Sequence, residues 1–219
     1  MARYCAGCQE SFLPMPGPLV TSLWRVLALL VLSGALWLAG CDEGGSSVAF
    51  NSTDVTGADF GKRFDLVDHE GKPRQLDDFR GKVVVLFFGF THCPDVCPTT
   101  LAEFNAVFGQ LGDAAQRVQV LFVTVDPERD TPEVLRSYVT AFNPAFLGLT
   151  GTPGQIADVA GEFRIIYKKV EGSRPGNYSV DHSAGTYIFD PQGRLRLYAR
   201  YGQGAESLTS DIERLLNAG

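Results

Sequence analysis

Two cysteines separated by three residues carry the chemistry of this 219-residue chain: Cys93 and Cys97, in Phe90-Thr91-His92-Cys93-Pro94-Asp95-Val96-Cys97-Pro98-Thr99-Thr100. The segment leaves an apolar run, Val83 to Phe90, and enters a stretch of helical spacing. Proline suits a first helical position and discourages helix in the residue before it, so the helix is expected to start at Pro94 or Pro98. Both sulfurs then lie near a helix N-terminus, whose partial positive charge favours thiolate over thiol. If the segment is helical, the four-residue step sets the two Cβ atoms about 5–6 Å apart on one face. Two converging thiolates bind a soft metal, attack a disulfide or close one of their own.

Two thiolates seldom complete a metal site, and the chain has three histidines. His69 sits in the polar turn His69-Glu70-Gly71-Lys72 and reads as a solvated turn residue. His92 adjoins Cys93, but neighbouring side chains on an extended segment point apart. His182, in Val180-Asp181-His182-Ser183-Ala184, lies at a loop-to-strand junction and is the candidate third ligand. Two thiolates and an imidazole suit low-coordinate Cu(I) and also hold Cu(II). Structural zinc wants a fourth protein ligand, and none is evident. Asp126 ends a second apolar run and starts Asp126-Pro127-Glu128-Arg129-Asp130-Thr131-Pro132, ordinarily a turn and helix cap. Its strand should neighbour the one leading to Cys93, which makes Asp126 a candidate for orienting His182 or modulating the thiolates.

The elements that must position these residues are legible as patterns. Phe64–Val67 and Arg74–Leu76 flank a turn and read as a hairpin. Val83–Phe90 and Val118–Val125 read as buried central strands. Leu101, Phe104, Val107, Phe108 and Leu111 repeat at helical spacing, and Pro132 opens a helix carrying Val134, Leu135, Tyr138 and Val139. A short strand near Phe146-Leu147, a helix from Pro153 to Phe163 and a strand from Arg164 to Val170 follow. Thr186–Phe189 and Leu195–Tyr201 flank Asp190-Pro191-Gln192-Gly193 as a second hairpin, and Glu206–Leu216 closes as an amphipathic helix. Strands linked by helices and ending in a hairpin and helix predict an α/β, thioredoxin-like three-layer sandwich with an N-terminal β-hairpin and a helical insertion.

Upstream, Arg25 precedes an apolar run from Val26 to Gly40, 15 residues against the about 20 that span a bilayer. Positive flank, short apolar run and small-residue exit are the order of a secretory signal. Leu38-Ala39-Gly40-Cys41 resembles a bacterial lipobox, which implies cleavage before Cys41 and lipid on its sulfur. Asp42 after it resembles an inner-membrane retention signal. The expected organisation is a signal over residues 1–40, with Met15 the more ordinary start than Met1. A lipidated Cys41 and polar tether over 41–57, and one domain over 58–219, complete it. Cys5 and Cys8 fall in the discarded part, leaving Cys93 and Cys97 as the free thiols of the mature chain. With 45% hydrophobic and 11% aromatic residues the chain buries a full core, and a net charge of −6 without a basic cluster excludes nucleic acid as a partner. A monomer is the default expectation.

The motifs Cys93-Pro94-Asp95-Val96-Cys97-Pro98, Val125-Asp126-Pro127-Glu128-Arg129-Asp130-Thr131-Pro132 and Asp181-His182-Ser183 together resemble those of Sco/SenC family copper chaperones of cytochrome c oxidase assembly, over about Gly57 to Leu216. The three-residue gap separates them from Cys-x-x-Cys thioredoxins. The resemblance implies copper on Cys93, Cys97 and His182, received from an upstream periplasmic donor and delivered to the copper A centre of oxidase subunit II. The lipobox and Asp42 imply a protein of the bacterial cell envelope, anchored to the inner membrane with its domain in the periplasm. The resemblance also leaves room for a thiol–disulfide reductase that keeps the copper A cysteines reduced. A peroxidase of peroxiredoxin type would want Thr-x-x-Cys, whereas Thr91 stands two residues before Cys93.

Overall fold

The computed structural model describes residues 49–173 and 177–218. Cys41, the signal and the first part of the tether lie outside the described residues. The central feature is an eight-stranded sheet in the order β1-β10-β9-β4-β5-β6-β2-β3, with a separate ribbon of β7 and β8. The strands are β1 (Thr53–Asp54), β2 (Asp65–Asp68), β3 (Pro73–Gln75), β4 (Val83–Gly89), β5 (Val118–Thr124), β6 (Leu147–Thr150), β7 (Tyr167–Glu171), β8 (Tyr178–His182), β9 (Thr186–Phe189) and β10 (Leu195–Ala199). The helices are α1 (Val96–Leu111), α2 (Pro132–Phe142), α3 (Pro153–Glu162) and α4 (Ala205–Asn217).

Every residue of β4 and of β5 is buried, as the continuous apolar runs require of strands covered on both faces. They pair in parallel, Val83 opposite Val118 through Gly89 opposite Thr124, while β9 runs antiparallel on the other side of β4. The two-residue period divides their side chains between two cores. Val83, Val85, Phe87, Val118, Val120 and Phe122 meet α1, α2 and α4 through Leu101, Phe104, Leu135, Val139 and Ile212. Val84, Leu86, Phe88, Leu121 and Val123 meet α3 through Ile156, Val159 and Ala160. Each such fully buried side chain contributes about 1.5–3 kcal/mol of burial free energy, so the three layers are set by β4 and β5. The fold is the expected three-layer α/β arrangement.

Local signals place the remaining ends. Thr131 caps α2 by accepting from the Val134 N–H, and Thr152 and Gln155 form a reciprocal capping box at α3. Both hairpins form, Leu66 opposite Arg74 and Tyr198 opposite Tyr187.

Three expectations differ. The ordered domain reaches back before Gly57, because Thr53 and Asp54 pair with β10 and the buried Asp211 carboxylate accepts from the Asn51 and Ser52 N–H groups at 2.8 Å each. Short polar residues look like tether, yet backbone pairing and one carboxylate suffice to hold them. The strand expected from Arg164 begins only at Tyr167 and joins a ribbon rather than the sheet. His69, expected in solvent, is only 6% exposed. Its Nδ1 accepts from the Gly148 N–H at 3.1 Å and its own N–H donates to the Gly148 carbonyl at 2.9 Å, fastening the first hairpin to β6. Burial, first, holds its imidazole below the usual histidine range.

Candidate metal centre

β4 delivers the chain to the site and α1 leads it away. α1 begins at Val96, between the two expected prolines: Pro94 lies before it, and Pro98 takes the third position, where an N–H has no intrahelical acceptor. Cys97 is therefore in the first turn, but Cys93 stands outside the helix, in a turn closed by its N–H donating to the Phe90 carbonyl at 3.1 Å. The sulfurs converge through that turn, not through a shared helix face. Cys93 is half-buried against both cores, and Cys97 is 1% exposed.

Burial changes the expected acid–base chemistry. It pushes the Cys97 thiol far above the ordinary thiol range, with the Phe90 backbone N–H offsetting part of the effect and the neighbouring Cys93 adding to it. The helix terminus acts on a local scale; desolvation of an anion packed among Leu101, Phe104 and Phe122 outweighs it. Close packing also explains Gly89 at the end of β4, since a Cβ there would lie 2.5 Å from Cys97 Sγ and 2.6 Å from Phe122.

His182 is the last residue of β8, opposite Tyr167 of β7. Its Nδ1 lies 2.9 Å from the Ser183 carbonyl, which accepts only, so Nδ1 carries the proton and Nε2 offers its lone pair. Nε2 lies 3.7 Å from Cys97 Sγ, and the ring stands edge-to-face on Phe90 with centroids 5.8 Å apart. Cys93, Cys97 and His182 present one donor atom each, all within 4.8 Å of one another. The exposed His92 is outside this group; its Nδ1 lies 3.2 Å from Thr91 Oγ1.

Asp126 follows β5, which does flank β4, but its carboxylate is spent elsewhere. It pairs with Arg129 Nε and accepts from the Tyr178 hydroxyl at 2.8 Å. Tyr178 stays a donor, its phenol pushed up to about 12 by burial first and by Asp126 next. Asp126 thus touches the strand that carries His182 at its other end, without contacting the imidazole. The acidic residue that sequence reasoning passed over is Asp130. Fully buried, it accepts from the Thr91 N–H at 3.0 Å, Thr91 Oγ1 at 2.6 Å and Thr124 Oγ1 at 2.6 Å. It ties the loop entering the cysteine turn to the end of β5. The one available signal was a second Asp four residues after Asp126. Tyr138, on α2 against Phe122, has a buried hydroxyl without a hydrogen-bond partner among the described residues.

With this geometry in view, likeness to known proteins decides the affiliation. The SCO1/SenC family profile matches residues 52–217. The chain belongs to the SCO1/SenC family. The mitochondrial SCO2 homolog of Bos taurus is 43% identical over 157 residues, covering 71% of this chain and 59% of that protein. An SCO2-like protein of Rickettsia prowazekii is 42% identical over 135 residues, 61% of this chain and 66% of its own. The chain therefore spans less than two thirds of the length of these curated relatives. Among solved structures, copper-bound ScoI of Bradyrhizobium japonicum superposes with a TM-score of 0.66 at 39% identity, over 71% of this chain and 99% of that one. The SCO1/SenC match bears out both the resemblance read from the three motifs and the thioredoxin-like fold.

Proposed function

We propose that this SCO1/SenC protein carries copper on Cys93, Cys97 and His182 and hands it to the copper A site of cytochrome c oxidase subunit II. The observation that carries the reading is the convergence of two sulfurs and one unprotonated imidazole nitrogen within 4.8 Å. This donor set fits a soft, low-coordinate ion, and Gly89 leaves the room that Cys97 Sγ needs. Copper here is cargo. Cys93, half-exposed in its turn, is the donor a partner's thiolate reaches first; Cys97, buried beneath it, yields last. Ligand exchange through shared sulfur keeps the ion bound throughout, and the Cys97 thiol gives up its proton on loading and regains it on release.

The same asymmetry supports a second reading as a thiol–disulfide reductase. Cys93 attacks a partner disulfide, Cys97 resolves the mixed disulfide, and two electrons and two protons pass to the partner as a Cys93–Cys97 bond forms. The lipobox reading supports an inner-membrane anchor through lipid on Cys41 and a domain in the periplasm.

Metal analysis and electronic absorption of the purified protein test the first reading. Bound copper with thiolate charge-transfer bands that collapse in His182→Ala is the expected result; unchanged copper binding in that variant would refute the ligand set. A chain that binds no copper yet reduces an oxidised subunit II fragment would favour the second.

A further inference from the structure

The cysteines follow a central strand of the main sheet, whereas His182 arrives on a ribbon whose strands, among the described residues, pair only with each other. β7 and β8 bond to each other from Tyr167–His182 to Glu171–Tyr178 and to no strand of the eight-stranded sheet. Val180 is the single buried residue of the two strands. Tyr167 and Tyr178 add part-buried packing against the same core, and the polar contacts that fix the ribbon to the body converge on Arg129.

The Arg129 guanidinium pairs through Nε with Asp126, while Nη1 donates to the Tyr178 carbonyl at 2.9 Å. It stacks 3.5 Å from the centroid of the Tyr178 ring, and its other neighbour is the Phe90 ring at 5.9 Å. Phe90 is the residue against whose ring His182 stands, and whose carbonyl closes the Cys93 turn. One planar cation thus touches the strand carrying His182 and the residue that borders both His182 and the cysteine turn. The Tyr178 hydroxyl returns to Asp126 at 2.8 Å and closes the ring of contacts. A second, exposed tie, Lys169 to Glu128 at 3.2 Å, is worth little in water.

We infer that Arg129 is a positioning residue for His182, the clamp that holds the β7–β8 ribbon where the imidazole meets the two sulfurs. The inference rests on the copper reading above. A planar fork is needed, because one group must reach a carboxylate, a carbonyl and two ring faces at once; lysine has a point charge and one nitrogen.

The test uses Arg129→Lys, which keeps the charge beside Asp126, and Tyr178→Leu, which removes the stacked ring and leaves the backbone carbonyl. Each is made in the otherwise unchanged chain and in the His182→Ala chain, and Cu(I) affinity is measured by competition with a chromophoric chelator. A loss of about tenfold in the unchanged chain, the low end for residues that orient a ligand, is expected, with less than a twofold further loss in the His182→Ala chain. Added imidazole should recover the loss. In the metal-free protein, backbone amides from Val180 to His182 should exchange with solvent faster, while those of β4 do not change. Equal losses in both backgrounds, or no loss in the unchanged chain, would overturn the inference. If His182→Ala itself leaves affinity intact, the copper reading fails instead; if only Arg129→Lys and Tyr178→Leu are silent, the clamp alone is wrong.

Discussion

Gly89 and Cys97 approach so closely that a methyl group on Gly89 would sit 2.5 Å from the Cys97 sulfur. The absence of a side chain at the end of β4 is thus a condition for the position of the buried sulfur. Gly89→Ala should push Cys97 Sγ outward against α1 and cost about 1–3 kcal/mol by overpacking. Urea unfolding measures the loss, and copper affinity should fall in the same variant, because the displaced sulfur no longer meets Cys93 and His182.

Copper uptake should be strongly pH-dependent. The metal binds thiolate, and burial keeps Cys97 protonated through the neutral range. Loading therefore releases its proton, and the apparent Cu(I) affinity should rise about tenfold per pH unit for each proton displaced. Competition titrations from pH 6 to pH 8 read the slope; a flat line would show that no proton leaves Cys97 on loading.

His69 should make the fold acid-sensitive. Its folded-state pKa lies below the ordinary 6.5 because burial disfavours the imidazolium. The unfolded chain then takes up the proton first, so the contribution of His69 is full above pH 6.5 and declines as pH falls below it. Urea midpoints between pH 7.5 and pH 5 should fall, and His69→Asn should flatten that part of the profile. A midpoint unchanged by the substitution at every pH would refute this role.

Asp130→Ala should destabilise the loop before the cysteines. It strands the buried Thr124 hydroxyl, at roughly 1–3 kcal/mol, and the part-buried Thr91 N–H and hydroxyl at less. Denaturant unfolding gives the size of the effect. Asp130→Asn should recover part of it, since the amide oxygen still accepts.

What the sequence made legible follows from where the information resides. β4 and β5 were readable as continuous apolar runs and the helices by periodic burial, and Pro132 and Pro153 mark helix starts by a local rule. β8 was not: Tyr178-Ser179-Val180-Asp181-His182 buries only Val180 and pairs with Tyr167–Glu171, exposed beyond Tyr167, so neither strand carries a burial pattern. His182 was read as a residue on the way into the next strand, whereas it ends a strand of its own. His69 was misread because its partner, Gly148, lies 79 residues away. For Cys97, the thiolate expected at a helix start is disfavoured by burial for the same reason. The helix terminus is a neighbour in sequence, whereas the side chains that desolvate Cys97 come from other elements.

Cys97 and His182 are 85 residues apart in the chain yet 3.7 Å apart in the fold. The unfolded polypeptide can offer a metal two nearby sulfurs, but the imidazole joins them only once the sheet has assembled and the ribbon has docked. A three-donor site is consequently a property of the native state, and any ion that prefers it acts as a folding ligand. Its occupancy shifts the unfolding equilibrium by mass action, so the chain is harder to unfold with the site filled than with it empty.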